Sequence, residues 1–483
     1  MLTSAILEPE ILEKAHRTVR EFHELIDLGL INKEGEFVPT LMYLPMTQHP
    51  PMTEKEFLKG YVPPRDNKFM VYGHIPFCIQ QCAFCHFPNV LGASDGEKDV
   101  YLDHMNKEME LYLKKIGVNR MKAHCISVGG GTPTLMTPAQ MKRFLSFFTS
   151  RVDMGEMKQF SVDLDPLTML GYEGRERLKI MRDAGVGRLA LGAQTLSDDM
   201  LKKMGRHHTA ADTLRAIGVA KEMGFKLNLE LICDYPGETP EHWVEMMKQA
   251  VKLDVDEIVV FRLKILPYGI NTAAVNKMLN ARDNPLMSND EQVMLKSVSI
   301  SLLERSGFVE TVTRFFARTS EDYSVYLDDW LGETRYDNIG FGYYAMSAFH
   351  DRQKQNTWDL KEYCSEVDAG RLPVKIGIVR SRDQQLRRNF MMPLKNRCLL
   401  SKKLYQDRMG VSPNAVFSGK IALLKKYDLL EEDADFLRPT KKGRFFIDEM
   451  TQLFYHPDYL PFKRECYKDG PLNPYTDNVT LTC

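Results

Sequence analysis

No apolar run in this 483-residue chain is long enough to cross a bilayer. The N-terminus, M-L-T-S-A-I-L-E-P-E-I-L, meets acidic residues too early to read as a secretory signal. Charge of one sign is lacking as well. The 64 Lys and Arg against 65 Asp and Glu leave a net charge of −1, so nothing suggests an electrostatic grip on nucleic acid or on an anionic membrane. Nor do the cysteines form a disulfide framework. There are nine, an odd number, and Cys125, Cys233, Cys364, Cys398, Cys466 and Cys483 are scattered. Such a set argues for reduced thiols and a cytoplasmic protein. What is present is an ordinary soluble composition, 43% hydrophobic and 27% charged, with length for two or three domains and a large core.

The other three cysteines mark the stretch around which the chain is organised. Tyr72 to Phe87 reads Y-G-H-I-P-F-C-I-Q-Q-C-A-F-C-H-F, with Cys78, Cys82 and Cys85 in a C-x3-C-x2-C spacing. Three thiolates this close can hold three irons of one [4Fe–4S] cube and leave the fourth iron open to another ligand. A structural zinc site would want a fourth Cys or His at matching spacing, and His86, adjacent to Cys85, is badly placed to share its metal. The competing reading is three buried thiols in a loop. The run before them, Met70 to Ile75, is apolar and strand-like, and Pro76 ends it. Cysteines just past a strand's C-terminal end stand where α/β barrels place their chemistry.

Along the chain, Glu8 to Leu30 has helical spacing through Ile11, Ala15, Val19, Phe22 and Leu25, and Asn32 to Gly35 reads as a turn. Leu41 to Val62 is Pro-rich and aromatic, a linker or an arm packed over a site. From Met70, strands alternate with amphipathic segments such as Val100 to Ile116. The strands are His124–Val128, Phe160–Asp165, Arg188–Leu191, Lys226–Cys233 and Glu257–Leu266, the last ending at Pro267-Tyr268-Gly269. Six such units predict an α/β fold, an open (β/α)6 partial TIM barrel with a lateral mouth for a large flat substrate. The expected divisions are a helical arm (1–68), the partial barrel (69–275), a substrate-facing α+β extension (276–400), a winged-helix-like module (401–455) and a tail (456–483) whose role the sequence does not assign. A winged helix invites a DNA-binding reading, but the charge balance gives it no support.

The motif resembles the radical S-adenosylmethionine (SAM) superfamily. More narrowly, Y-x-H-I-P-F-C-x3-C-x-F-C is similar to the family of oxygen-independent coproporphyrinogen III oxidases and their relatives. Gly129-Gly130-Gly131-Thr132-Pro133 follows a strand, and its bare backbone admits a ligand. It resembles the family's G-G-x-T-P element, which meets the SAM amino group. Asp163 stands where the family carries an acid that helps hold SAM, commonly Glu; read alone, it is one of two solvated carboxylates on a strand. Gln194 matches a position close to bound SAM. Gly205-Arg206-His207-His208-Thr209 resembles G-R-x-H-T, in which the arginine faces the SAM carboxylate, a match suited to a guanidinium fork. Glu230 replaces the Asp of the family's D-L-I-x-G-L-P-G-Q-T and remains a ribose-hydroxyl acceptor. Tyr72, six residues before Cys78, stands where relatives place a tyrosine near the sulfonium. Gly307–Arg318 resembles the family's G-Y…H-F-A-R segment and Ile339–Ala345 its glycine-rich strand, where Tyr343 and Tyr344 could pack a planar ligand or simply be core. L-R-P-T-K-K-G-R-F-F-I echoes the family's C-terminal run, part of a module it uses as a lid.

The resemblance implies a [4Fe–4S] cluster and SAM, possibly two, an electron donor such as flavodoxin or ferredoxin, and a tetrapyrrole-type substrate. It leaves the reaction open among relatives. Phe87 stands where the oxidases tend to carry another cysteine, and a long segment precedes Tyr72 where haem-chaperone relatives begin almost at once. Methyltransferase relatives that use a second SAM, some of which open the haem ring, share both features. The sequence reading therefore favours methyl transfer, with decarboxylation of coproporphyrinogen III and haem delivery as alternatives.

Overall fold

The computed structural model describes residues 6–33, 43, 48–263, 286–333, 335–460, 463–470 and 472–476. Residues 34–35 of the expected turn, 41–42 and 44–47 of the Pro-rich stretch, the part of the expected last barrel strand beyond Leu263, and Pro267 to Gly269 lie outside them.

The chain opens on α1 (Pro9–Asp27), with Pro9 in the first turn and Ile11, Ala15, Phe22 and Leu25 buried along one face. Strands and helices then alternate: β1 (Lys68–Ile75), α2 (Asp95–Ile116), β2 (Met121–Gly130), α3 (Pro138–Ser150), β3 (Gln159–Leu164) and α4 (Gly171–Asp183). They continue with β4 (Arg188–Gln194), α5 (Asp198–Lys203), α6 (Ala210–Glu222), β5 (Lys226–Cys233), α7 (Pro240–Ala250) and β6 (Glu257–Arg262). Local chemistry fixes the helix starts. Capping boxes at Ser94/Glu97, Thr137/Gln140 and Thr209/Asp212 open α2, α3 and α6. Gly117, at φ 72°, closes α2. The inward stripe of α2 buries Leu102, Met105, Met109 and Tyr112, and every residue of β4 is buried, as a parallel strand covered on both faces requires.

These six strands pair in parallel in chain order. Beyond β6 the chain continues as α8 (Asn289–Arg305), β7 (Val309–Val312), β8 (Phe315–Ala317), β9 (Asp337–Phe341), β10 (Met346–Ala348), β11 (Arg352–Asn356), α9 (Leu360–Asp368) and β12 (Val374–Val379). The resulting thirteen-stranded sheet runs β7-β8-β6-β5-β4-β3-β2-β1-β9-β10-β11-β12, with the two-residue strand Val152–Asp153 beside β2. Its two ends do not pair with each other among the described residues.

Three strand expectations need correction. β6 ends at Arg262 and leaves Leu263 outside the strand. β4 runs on past Leu191 to Gln194, through a register shift that leaves Gln194 at φ 69°. The glycine-rich strand stops at Phe341, because Gly342 at φ 104° and Tyr344 at φ 59° turn the chain back into β10. β9 is a seventh parallel strand and flanks β1 opposite β2.

The C-terminal region comprises α10 (Arg382–Arg397), β13 (Leu400–Ser401), α11 (Lys402–Met409), α12 (Pro413–Lys426), β14 (Leu430–Glu432) and β15 (Phe436–Pro439). Its strands pair in the order β13-β15-β14. It has its own apolar core, built from Phe390, Phe417, Phe446 and Phe454, and Phe22 and Leu25 of α1 belong to that core. Tail residue Leu472 joins it too.

Candidate functional site

The loops leaving the C-terminal ends of β1 to β6 enclose a cavity of about 470 Å³. β1 ends at Pro76, and the chain immediately pairs back, Thr132 N donating to Phe77 O at 2.7 Å and Gly131 N to Ile75 O at 2.8 Å. These bonds lock the glycine turn after β2 against the cysteine loop. Cys78, Cys82 and Cys85 are free thiols, half-buried, and all three face the cavity. Each has a different neighbour: Thr132 Oγ1 lies 3.8 Å from Cys78 Sγ, an Arg206 N–H donates to Cys82 Sγ at 3.3 Å, and Asn89 Nδ2 to Cys85 Sγ at 3.6 Å. Burial pushes the Cys78 thiol up to about 12, with Thr132 opposing, and pushes Cys85 up as well. Such thiols ionise when a cation is beside them. Among the described residues no three or more His, Cys, Asp or Glu are arranged to hold one metal ion; cysteines that each bind a different iron of a cube stand further apart than the ligands of a single ion. The donor set and its convergence on one cavity fit an iron–sulfur cube.

The glycines are where they are for lack of room. A Cβ on Gly131 would lie 2.6 Å from Phe77 O and 2.9 Å from Cys78 Sγ, and one on Gly129 2.3 Å from an Asp163 carboxylate oxygen. Gly130, at φ 113°, has the His74 ring at 2.6 Å from the same position. Arg206, entering from the loop after α5, lies across the mouth. Its guanidinium donates to Asp165 Oδ2 at 2.6 Å and to Gly192 O at 2.8 Å as well as to Cys82. Burial opposes its charge, but Asp165, Cys82 and Cys78 outweigh that and raise its pKa. Gln194 is buried, and its amide nitrogen is 2.9 Å from where a Gly192 Cβ would be. Thr132, Asp163 and Glu230 also line the cavity. β3 and β5 flank β4, and Asp163 pairs in register with Ala190. Burial raises Asp163 to about 6, against the pull of Arg188. Glu230 rises to about 7 through burial and then the nearby Asp163 charge. Tyr72 lies on the wall with its hydroxyl 3.2 Å from His74 Nδ1. Burial and Asp163 push its phenol well up, and burial pushes His74 down to about 3.

Tyr72, Cys78, Cys82, Cys85, Gly130, Gly131, Thr132, Asp163, Gln194, Arg206 and Glu230 line this one cavity, and Gly129 does not. Some of its features were not legible beforehand. The floor is a segment from the extension, Ser324 to Leu327, where the Tyr326 ring stacks on Tyr72 at 5.8 Å and on Trp330 at 6.0 Å. Deeper still, buried Arg188 pairs with buried Glu257; a charge opening an otherwise apolar strand was the available signal. His208 is buried with Nε2 3.2 Å from Ala193 O, while His207 is exposed at the rim. Tyr343 and Tyr344 are buried and do not line the cavity. The Tyr344 ring packs 6.1 Å from Phe87 and 6.3 Å from Trp358, behind the cysteine loop.

A parallel strand–helix array that gathers a cysteine triad, a glycine turn and an arginine clamp at one end describes a class, the radical SAM proteins. The superfamily's sequence pattern matches residues 72–250, and that of the HemN C-terminal domain matches residues 381–446. The chain belongs to the radical SAM superfamily, whose cofactors are a [4Fe–4S] cluster and SAM, and carries a HemN-type C-terminal domain. It is 26% identical over 385 residues to the haem chaperone HemW of Bacillus subtilis (strain 168), covering 79% of this chain and 98% of that one. It is 25% identical over 445 residues to the oxygen-independent coproporphyrinogen III oxidase of Escherichia coli (strain K12), covering 89% and 94%. The solved structure of coproporphyrinogen III oxidase (HemN) from Escherichia coli superposes with a TM-score of 0.72 at 24% identity over 87% of this chain and 96% of that one, which establishes the shared fold. The methyl-transfer expectation finds no support among these relatives, which are named as oxidases and a haem chaperone and so back its two alternatives.

Proposed function

We propose that this chain is a radical SAM enzyme acting on a tetrapyrrole, with oxidative decarboxylation of the coproporphyrinogen type as its reaction. The observation that carries the reading is the extent of the oxidase match: 445 residues align with the Escherichia coli oxidase against 385 with the Bacillus subtilis chaperone. When bound, the cluster and SAM together supply a 5′-deoxyadenosyl radical able to take a hydrogen atom. The chain's own residues do the rest. Cys78, Cys82 and Cys85 hold the cluster. The Arg206 fork orients the SAM carboxylate, and the Gly129–Gly131 backbone and Thr132 lie along its amino end. Asp163, Glu230 and Gln194 would meet its polar groups, and Tyr72, on the cavity wall, would stand near the sulfonium. Tyr326 and Leu327 close the floor against water. A small redox protein of the flavodoxin or ferredoxin kind supplies electrons.

A second reading, haem binding and delivery, is favoured by the 98% coverage of the Bacillus subtilis chaperone. One experiment separates them: anaerobically reconstituted protein is given dithionite, SAM labelled in its methyl group, and either coproporphyrinogen III or haem, and the products are read by mass spectrometry. Vinyl product, carbon dioxide and 5′-deoxyadenosine support the oxidase. Stoichiometric haem binding without turnover supports the chaperone. S-adenosylhomocysteine alongside 5′-deoxyadenosine would identify methyl transfer and displace both.

A further inference from the structure

At the end of the sheet opposite the cysteine loop, the β10–β11 turn (His350, Asp351), the end of β12 and the start of α10 meet α11. Arg380 is tied in place there. Its backbone N–H donates to Asp351 O at 2.8 Å, its carbonyl accepts from Gln385 Nε2 at 2.9 Å, and one guanidinium nitrogen donates to Gln353 Oε1 at 2.8 Å. Arg382 bonds the carbonyl of Met409, which brings the neighbouring Arg408 to the same corner. Arg380 is only 3% exposed, and its Nε and remaining Nη are buried with no partner among the described residues. The same is true of His350 Nε2 on the half-buried turn. Arg388, buried on α10, adds a third guanidinium. The three arginines depress His350 to about 4, after burial itself, and burial lowers Arg380 to about 10. Among the described residues, Asp351 is an acid whose charge bears on both His350 and Arg380. Asp351 is engaged by Arg352 through two bonds, at 2.9 and 2.7 Å.

Buried charge with donors left unmet is expensive unless an anion or acceptor arrives. A fork of guanidinium N–H groups beside an imidazole N–H is a donor set for a tetrahedral oxyanion. We propose that Arg380 and His350, in the field of Arg388 and Arg408, form a binding site for a small oxyanion of the phosphate class, one that ties the C-terminal domain to the edge of the sheet. The site lies away from the cysteine loop and is independent of the reaction assigned above.

The test uses the full-length chain without reconstitution, in chloride or phosphate at matched ionic strength. Calorimetric titration with inorganic phosphate should give one site, and 20 mM phosphate should raise the melting temperature by about 3 °C or more. Arg380→Met should abolish the phosphate increment while leaving the phosphate-free melting temperature equal or higher, because an uncompensated charge has gone. His350→Gln should weaken phosphate binding about fivefold with the fold intact. An equal phosphate increment in wild type and both variants would overturn the site. Adenosine monophosphate as a second titrant reads whether the site takes a free phosphate or a phosphate ester.

Discussion

Arg206 makes three hydrogen bonds at one mouth, to a carboxylate, a backbone carbonyl and a thiol. Its position therefore depends at once on the cysteine loop, on β4 and on the turn after β3, and it lines the cavity in which the SAM carboxylate is proposed to sit. Arg206→Ala should keep the cluster and weaken SAM binding by roughly 1.5–3 kcal/mol, the value of a charge-assisted hydrogen bond. Equilibrium binding at matched iron content reads this, with Arg206→Lys intermediate because a point charge cannot replace the fork. Unchanged affinity would make the arginine a purely structural tie to Asp165. The cysteines are tested differently. Replacing Cys78, Cys82 or Cys85 by Ala removes one of three protein ligands and should abolish the brown chromophore and all reductive SAM cleavage. Cys125→Ala, inside β2, should leave both. A Cys82→Ala protein that still cleaved SAM after anaerobic reconstitution would refute the ligand assignment.

The element that decides the site's shape is the turn after β2. Because a Cβ at position 131 would strike the Phe77 carbonyl and the Pro76 carbonyl carbon, both backbone atoms, Gly131→Ala should push the cysteine loop away and cut iron content after reconstitution severalfold. Gly218 is the control. It sits inside α6 with nothing within 4 Å of a would-be Cβ, so Gly218→Ala should leave iron content alone and stabilise by about 0.5–1 kcal/mol. Iron loading is read by colorimetric assay and stability by denaturant titration. This turn was legible in the sequence because the glycine triplet follows a strand and resembles the G-G-x-T-P element of the radical SAM family; a glycine triplet alone reads only as a tight turn. The β strands were legible for a related reason: parallel strands buried on both faces read as apolar runs, and Lys226–Cys233 was placed to the residue. The seventh parallel strand and the Tyr326 floor were not. Asp337–Phe341 joins β1 from more than 250 residues away, and no local period marks a partner at that distance. The floor is short, irregular and packed by tertiary contact alone.

For the whole molecule, two buried ionisable groups act in opposite directions and set a stability optimum in pH. Asp448 is 1% exposed in the C-terminal domain, with Lys395 Nζ at 2.7 Å and Arg314, from the β7–β8 turn, on its other oxygen. Burial opposes its ionisation, but Arg314 and Lys395 outweigh it, so its pKa lies well below the carboxylate range. The unfolded chain then binds that proton more readily than the native one. The stabilisation is complete above about pH 4 and is lost as pH falls below it. Asp448→Asn should cost about 3–5 kcal/mol at neutral pH, because buried Lys395 and half-buried Arg314 lose a shared buried partner charge. Glu230 works the other way. Its folded value of about 7 lies above the unfolded one, so the native state binds the proton more tightly; stability falls as pH rises from about 4.5 to about 7 and is level above that, which forms the alkaline limb of the curve. With these two groups the protein without cofactors should be most stable near about pH 4 to 5. At pH 8, Glu230→Gln should be more stable than wild type by about 1–3 kcal/mol, and its slope between about pH 5 and 7 should flatten, while Asp448→Asn loses the acid limb instead. Melting temperature measured from about pH 2 to 9 on the three proteins reads both limbs together. A wild-type curve with no alkaline fall, or a Glu230→Gln curve parallel to it, would mean that Glu230 is solvated in the native chain and does not share the cavity with Asp163.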